Sequence, residues 1–206
     1  MTRDAVVGFV VLVAVLTARA SSAEEGFLWF PFASEYTVHI SCRWTCLNPD
    51  GSTYNHQATD FGRTRYNTNV YAATSGVAYF VRKNIPRDTF PPGGSYGNFV
   101  KIRHANGFET WYAHLLPNVP IEQGAAVQIG QHIGTTVQTG KSTGPHLHFE
   151  VRDPSGRRVN PYGNPPDYDG GCGPGALWAT CPPTPTPPAD NDHDGWTTVQ
   201  GDCNDA

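Results

Sequence analysis

The run Gly144-Pro145-His146-Leu147-His148-Phe149-Glu150-Val151 constrains this chain more than any other segment. Side chains alternate along a strand, so an extended run points His146 and His148 to the same face. Imidazole is both the commonest transition-metal ligand and the side chain best suited to proton transfer near neutral pH. One strand therefore delivers a ligand and a proton carrier to one spot, and the rest of the chain must fold around it. Taken alone, the pair also reads as two solvated histidines on an edge strand.

Two further elements argue against the solvated reading. His56 and Asp60 stand four residues apart, a spacing that shares a face on a helix or a strand. With one histidine of the later pair they offer two nitrogens and one carboxylate oxygen. That set suits Zn²⁺ held by three protein ligands with a fourth position open. A closed structural zinc site takes four protein ligands, often thiolates, and the five cysteines here contain no Cys-x-x-Cys pair. The other element is Trp111-Tyr112-Ala113-His114-Leu115. It follows Asn106-Gly107, a tight-hairpin signal, which lies between strand-like runs at 99–103 and 108–112. Counting by twos puts Phe108, Thr110, Tyr112 and His114 on one face.

In this order the elements resemble the lysostaphin/LytM-type zinc metallopeptidases, the M23 peptidase family. The resemblance runs from about Asn55 to Tyr162. It rests on His56 to Asp60, on Tyr96–His104 continuing to Tyr112–Leu115, and on the Gly-rich stretch Val127–Gly134. The block Thr139–Glu150 and the later Val159-Asn160-Pro161 complete it. The resemblance implies an all-β fold, mainly antiparallel, with a sheet floor and loop walls forming a groove, as in lysostaphin-type or duplicated hybrid motif-like domains. It implies that His56, Asp60 and His148 bind one Zn²⁺ and that His114 and His146 are the catalytic histidines. The activity implied is that of a zinc metalloendopeptidase cutting peptidoglycan stems or cross-bridges through a zinc-activated water. Ala58 stands where the family often has glycine, which restricts positive φ but removes no ligand.

Substrates built from small residues imply a narrow groove. Tyr96, Asn98 and Tyr112 are the candidate substrate-binding residues of its wall, although strand aromatics also serve sheet packing. Residues 84–95, rich in Pro and Gly, read as a loop that would line one wall. The alternative on the same fold is a non-catalytic wall-binding or amidase-regulating module. Such modules lose metal or catalytic positions, and here all five are filled.

The flanks read separately. Residues 1–23, with Arg3 before the apolar run Ala5–Leu16 and small-residue cleavage sites after it, have the pattern of a signal peptide. That apolar run is short for a membrane span, so the mature protein is expected in the secreted or periplasmic (cell-envelope) space without a membrane anchor. Residues 24–54 carry aromatics expected to pack on a peptidase domain at 55–165. Residues 166–181 form a Cys-flanked extension, 182–189 a Pro-rich linker and 190–206 an acidic tail. Export permits disulfides. Local pairing gives Cys42–Cys46 and Cys172–Cys181 and leaves Cys203 over, with other connectivities open. Asp190, Asp192 and Asp194 precede Gly195 as in calcium-binding repeats, so Ca²⁺ is a second cofactor expectation for the tail. The formal net charge is −4 with no basic run, which excludes nucleic acid as a natural partner. A peptidoglycan or other small-residue peptide substrate and a monomeric state are expected.

Overall fold

The computed structural model describes residues 26–33, 39–42, 44–47, 50–62, 67–91, 95–163 and 172–181. The regions expected to be signal peptide, Pro-rich linker and acidic tail lie outside them, as do Cys203, Asp190, Asp192 and Asp194. The described residues form twelve strands: β1 (His39–Cys42), β2 (Thr45–Leu47), β3 (Thr53–Asn55), β4 (Thr59–Gly62), β5 (Asn69–Tyr71), β6 (Gly76–Arg82), β7 (Asn98–Arg103), β8 (Glu109–Leu115), β9 (Ala126–Val127), β10 (His132–Thr135), β11 (His146–Arg152) and β12 (Arg158–Val159). Among the described residues there is no helix, and every strand pairing is antiparallel. The all-β architecture read from the sequence is thus the one observed. None of the described residues forms a helix long and apolar enough to cross a membrane.

The main sheet runs β1-β4-β11-β8-β7-β6-β9, with β12 on β11, and two-stranded pieces β10-β5 and β2-β3 lie beside it. Strand alternation gives the sheet two unlike faces. Leu147, Phe149 and Val151 of β11, Tyr112 of β8, Val100 and Ile102 of β7 and Phe61 of β4 are buried in one core. His146, His148, Glu150 and Asp60 stand on the opposite face, which carries the site.

The β7–β8 connection differs from a two-residue hairpin. Register pairs Arg103 with Glu109, and His104 N–H donates to Phe108 O while Gly107 N–H donates to His104 O. Only Gly107, not Asn106, has positive φ. This is the longer form, a turn closed by one left-handed glycine. His104 is buried there, bonded to Ser75 O and Thr110 Oγ1.

The core is closed by chain from both flanks. Leu28 forms an isolated parallel bridge with Trp178, and Leu28 N–H donates to Leu177 O. Phe30 and Phe32 pack against Phe61, while Trp178 stacks on Phe149 at 5.6 Å and touches Tyr162. Residues 26–33 therefore do pack on the sheet, directly behind the strand that carries His146 and His148. Both expected disulfides are formed: Cys42–Cys46, and Cys172–Cys181 around the loop that holds Trp178. Replacing a buried aromatic by alanine costs about 3–5 kcal/mol. Trp178→Ala should therefore lower unfolding free energy by that amount in urea titration. A loss below about 1 kcal/mol would mean the strap is dispensable.

Candidate active site

Asp60 on β4 and His148 on β11 are directly paired across the sheet. His148 Nδ1 lies 2.9 Å from Asp60 Oδ1. His56 lies outside the regular strands, between β3 and β4. Its N–H and that of Gln57 both donate to Trp44 O, and Gln57 takes a positive φ of 55°. The backbone reversal within the His56–Asp60 motif thus falls on Gln57, not on Ala58, which is buried. Trp44 lies within the short segment that the Cys42–Cys46 bridge closes. His56 Nε2 reaches Asp60 Oδ2 at 3.3 Å, and the rings of His56 and His148 are 4.9 Å apart. One ligand atom from each of His56, Asp60 and His148 lies within 4.8 Å of the others, a group able to hold a metal ion. A second cluster, Cys42, Cys46 and His56, has its two sulfurs joined to each other.

The other two histidines stand beside this set. His146 Nε2 is 3.7 Å from Asp60 Oδ2, and His146 Nδ1–H donates to Gly144 O at 2.9 Å. The His114 ring lies 4.6 Å from that of His146 and 5.8 Å from that of His148. Period-two counting had placed His114 with Tyr112. Structure and counting disagree here, because His114 has φ of 61°. Ala113 pairs with His148 and Tyr112 with Phe149, so regular alternation would send His114 to the core side. The left-handed residue turns the imidazole to the site face instead, a conformation that costs about 1–3 kcal/mol for a non-glycine residue. Its Nδ1–H donates to Thr139 O at 2.6 Å and its backbone N–H to Tyr96 O. These contacts hold the strained residue in place.

Burial, the neighbouring His146 imidazole and His148 push the His114 pKa down to about 3 against the bond to Thr139, so the ring is neutral. Burial alone would lower His148. Its bonds to Asp60 and Glu150 prevail and push it up to about 9. Burial alone would raise Asp60, yet His148, His146 and His56 hold it below the ordinary carboxylate range.

Glu150, which the sequence reading left without a role, is the hub behind His148. It is 1% exposed, and it accepts from Tyr96 Oη at 2.5 Å, from Arg152 at 2.9 Å and from Arg158 at 3.0 Å. Its Oε1 faces His148 Nε2 at 3.2 Å. These partners overcome burial and keep its carboxyl far below the usual range. The period of two that links His146 to His148 extends to Glu150, and that was the available signal. Of the candidate wall residues, Tyr96 sits at the site, its ring 5.5 Å from that of His148. Tyr112 is fully buried on the core face, where its hydroxyl accepts from Ala73 N–H. Asn98 is also fully buried, and its amide bonds Ile85 N–H, Ile85 O and Leu115 O. Asn98 thereby fastens residues 84–91, which run beside 138–140 through Asp88–Gln138 and Thr89–Gly140 backbone bonds, and Ser95 is bonded to Lys141 in the same way.

An antiparallel sheet that brings a His–Asp–His donor set beside two further imidazoles defines a metallopeptidase-like centre. The profile of Peptidase family M23 matches residues 54–161, more than half of the 206-residue chain. The chain belongs to that family. It is 42% identical over 106 residues to DD-carboxypeptidase/endopeptidase Mpg of Neisseria meningitidis serogroup B, covering 52% of this chain and 22% of that protein. Peptidoglycan DD-endopeptidase ShyA of Vibrio cholerae is 39% identical over 134 residues, covering 65% of this chain and 29% of that protein. The matches therefore span less than a third of these relatives' lengths. A zinc-containing peptidase from Vibrio cholerae superposes with a TM-score of 0.52 at 31% identity, covering 66% of this chain and 39% of that one. The catalytic domain of EnpA from Enterococcus faecalis, at 23% identity and a TM-score of 0.51, covers 66% of this chain and 98% of that one and shares the fold.

Gly97 has φ of 61°, and a Cβ there would overlap the hydroxyl and carbonyl oxygens of Thr139, whose carbonyl orients His114. Gly97→Ala should cut turnover by about 10²-fold while zinc content is unchanged. Wild-type turnover in that variant would show that the Thr139 contact does not position His114. The raised His148 pKa adds stability that is complete below about pH 6.5 and lost as pH rises through about 9. Protein stripped of metal by a chelator should accordingly melt at lower temperature as pH rises across that window. His148→Gln should lack the decline, and an identical decline would assign it elsewhere.

Proposed function

We propose that this chain is an exported zinc metalloendopeptidase that hydrolyses peptide bonds in peptidoglycan stems or cross-bridges. The observation that carries the proposal is the convergence of His56, Asp60 and His148 on one point with His114 and His146 beside it. Two imidazole nitrogens and a carboxylate oxygen fit Zn²⁺, which accepts N and O ligands and leaves its fourth position open in catalytic sites. His56, Asp60 and His148 would hold the ion. When bound, zinc supplies Lewis acidity that acidifies water to a pKa of about 7 and polarises the scissile carbonyl.

His114 and His146 do the proton work in this reading. Each commits Nδ1–H to a backbone carbonyl, Thr139 O or Gly144 O. That fixes the tautomer and leaves Nε2 as the basic nitrogen. A proton taken from the attacking water at Nε2 of one ring is delivered from the same Nε2 to the leaving amine. Glu150, held by Arg158 and Tyr96, faces His148 Nε2 and orients its ring. A non-catalytic wall-binding module would have no use for a strained, buried His114 aimed at the metal ligands.

That the relatives are a DD-carboxypeptidase/endopeptidase and a peptidoglycan DD-endopeptidase supports the wall peptide as substrate. The signal-like pattern of residues 1–23 supports export. Purified mature protein incubated with wall sacculi should release peptide fragments, read by mass spectrometry, and a chelator should abolish release until Zn²⁺ is restored. Release indifferent to the chelator would contradict the reading. His146→Ala should keep zinc and lose about 10²–10⁴-fold in turnover. Asp60→Ala should lose the zinc itself, as measured by elemental analysis.

A further inference from the structure

The site face of the sheet continues away from the histidines as a ladder of cations stacked on aromatic rings. Register places Phe80, Lys101, Trp111 and Glu150 in one row across β6, β7, β8 and β11, on the same side as His148. Lys101 Nζ lies 3.4 Å above the centre of the Trp111 ring, and the Arg152 guanidinium lies 3.7 Å from it. Lys101 also faces Phe80 and Phe99, and Arg82 lies over Phe99 at 5.3 Å. Trp111 and Phe99 are buried beneath these cations.

The cations are unequally compensated. Arg103 is paired with Glu109, and Arg152 and Arg158 are paired with Glu150. Among the described residues no carboxylate stands within 4.0 Å of the charged groups of Lys101 or Arg82. Burial and the proximity of Arg152 lower the Lys101 pKa; Glu109 and Glu150, already engaged by arginines, oppose the shift, and Arg82 adds a smaller push downward. A partly desolvated ammonium between two guanidinium groups gains from an added anion, which relieves both the repulsion and the lost hydration. The chain as a whole carries a formal net charge of −4, so this positive strip is local.

We infer that the Lys101–Arg82 strip is a substrate subsite that receives a free carboxylate of the wall peptide. The inference rests on the endopeptidase reading and narrows it to acidic stem peptides as against neutral bridges. Lys101 lies two strands from β11 and one side-chain repeat from His148, roughly 12 Å at about 4.8 Å per strand and about 7 Å per repeat. An extended peptide covers that span in about three to four residues. The carboxylate therefore belongs to a position that far from the scissile bond, or to the end of a long side chain.

The test uses two synthetic cross-linked stem-peptide dimers, one with free carboxylates and one with every carboxylate amidated. Binding to zinc-loaded His146→Ala full chain is measured by calorimetry, and hydrolysis by wild type is measured in parallel. The free-carboxylate dimer should bind about tenfold more tightly, and the gap should shrink as salt rises. Adding Lys101→Gln should close the gap, Lys101→Glu should reverse it and Lys101→Arg should keep it. Lys83→Gln, a half-buried control that removes a lysine paired with Glu122, should also keep it. Equal binding of the two dimers overturns the inference, as does discrimination that survives Lys101→Gln. Tight binding of polyphosphate without discrimination between the dimers overturns it in favour of an anionic wall polymer. Discriminating binding without hydrolysis by wild type would sink the endopeptidase reading and leave the subsite standing.

Discussion

Asp60 and His148 face each other across the β4–β11 pairing, and everything chemical in this protein depends on that register. A shift of one residue would turn the histidines and the aspartate to opposite faces, because side chains alternate with a period of two. The core holds the register. Phe61 and Leu147 stand opposite one another on the buried face, and Phe149 is covered by Trp178 and Tyr112. Slippage would push these side chains into water, at about 1.5–3 kcal/mol for each fully buried one. The apolar face therefore fixes the polar one.

The site stores strain and buried charge that this frame sustains. His114 and Gln57 both adopt left-handed backbone, and each is fastened by hydrogen bonds from distant segments, Thr139 and Tyr96 for one and Trp44 for the other. Asp60 is held among three imidazoles, and Glu150 among two guanidinium groups, a tyrosine and His148. Removing one partner of such a buried group is more damaging than the pair is stabilising, because the remaining charge is left uncompensated. The Cys42–Cys46 and Cys172–Cys181 bridges act at the edges of this arrangement, near His56 and behind β11.

The sequence made some of this legible and hid the rest, for physical reasons. His56 with Asp60, and His146 with His148, could each be placed on one side because helix and strand spacings are short-range rules; the β4–β11 pairing and the turn at Gln57 bring the two pairs together. His114 resisted the same counting, since a positive φ at a non-glycine residue has no local signature and is imposed by tertiary bonds. Tyr112 and Asn98 looked like wall residues, yet one completes the core and the other anchors a loop, and both functions depend on partners far away in the chain. Glu150 was in view beside His148. Its importance becomes visible only when Arg158 and Tyr96 converge on it. The packing of Leu28 on Trp178 joins segments about 150 residues apart, and no periodicity announces such a contact.

The most direct measurement is anomalous X-ray diffraction from crystals of the zinc-loaded protein, recorded on both sides of the zinc absorption edge. The account predicts one strong peak within coordination distance of His56, Asp60 and His148, with the rings of His114 and His146 facing its open side. A peak lodged elsewhere, or none in protein that elemental analysis shows to contain zinc, would contradict it.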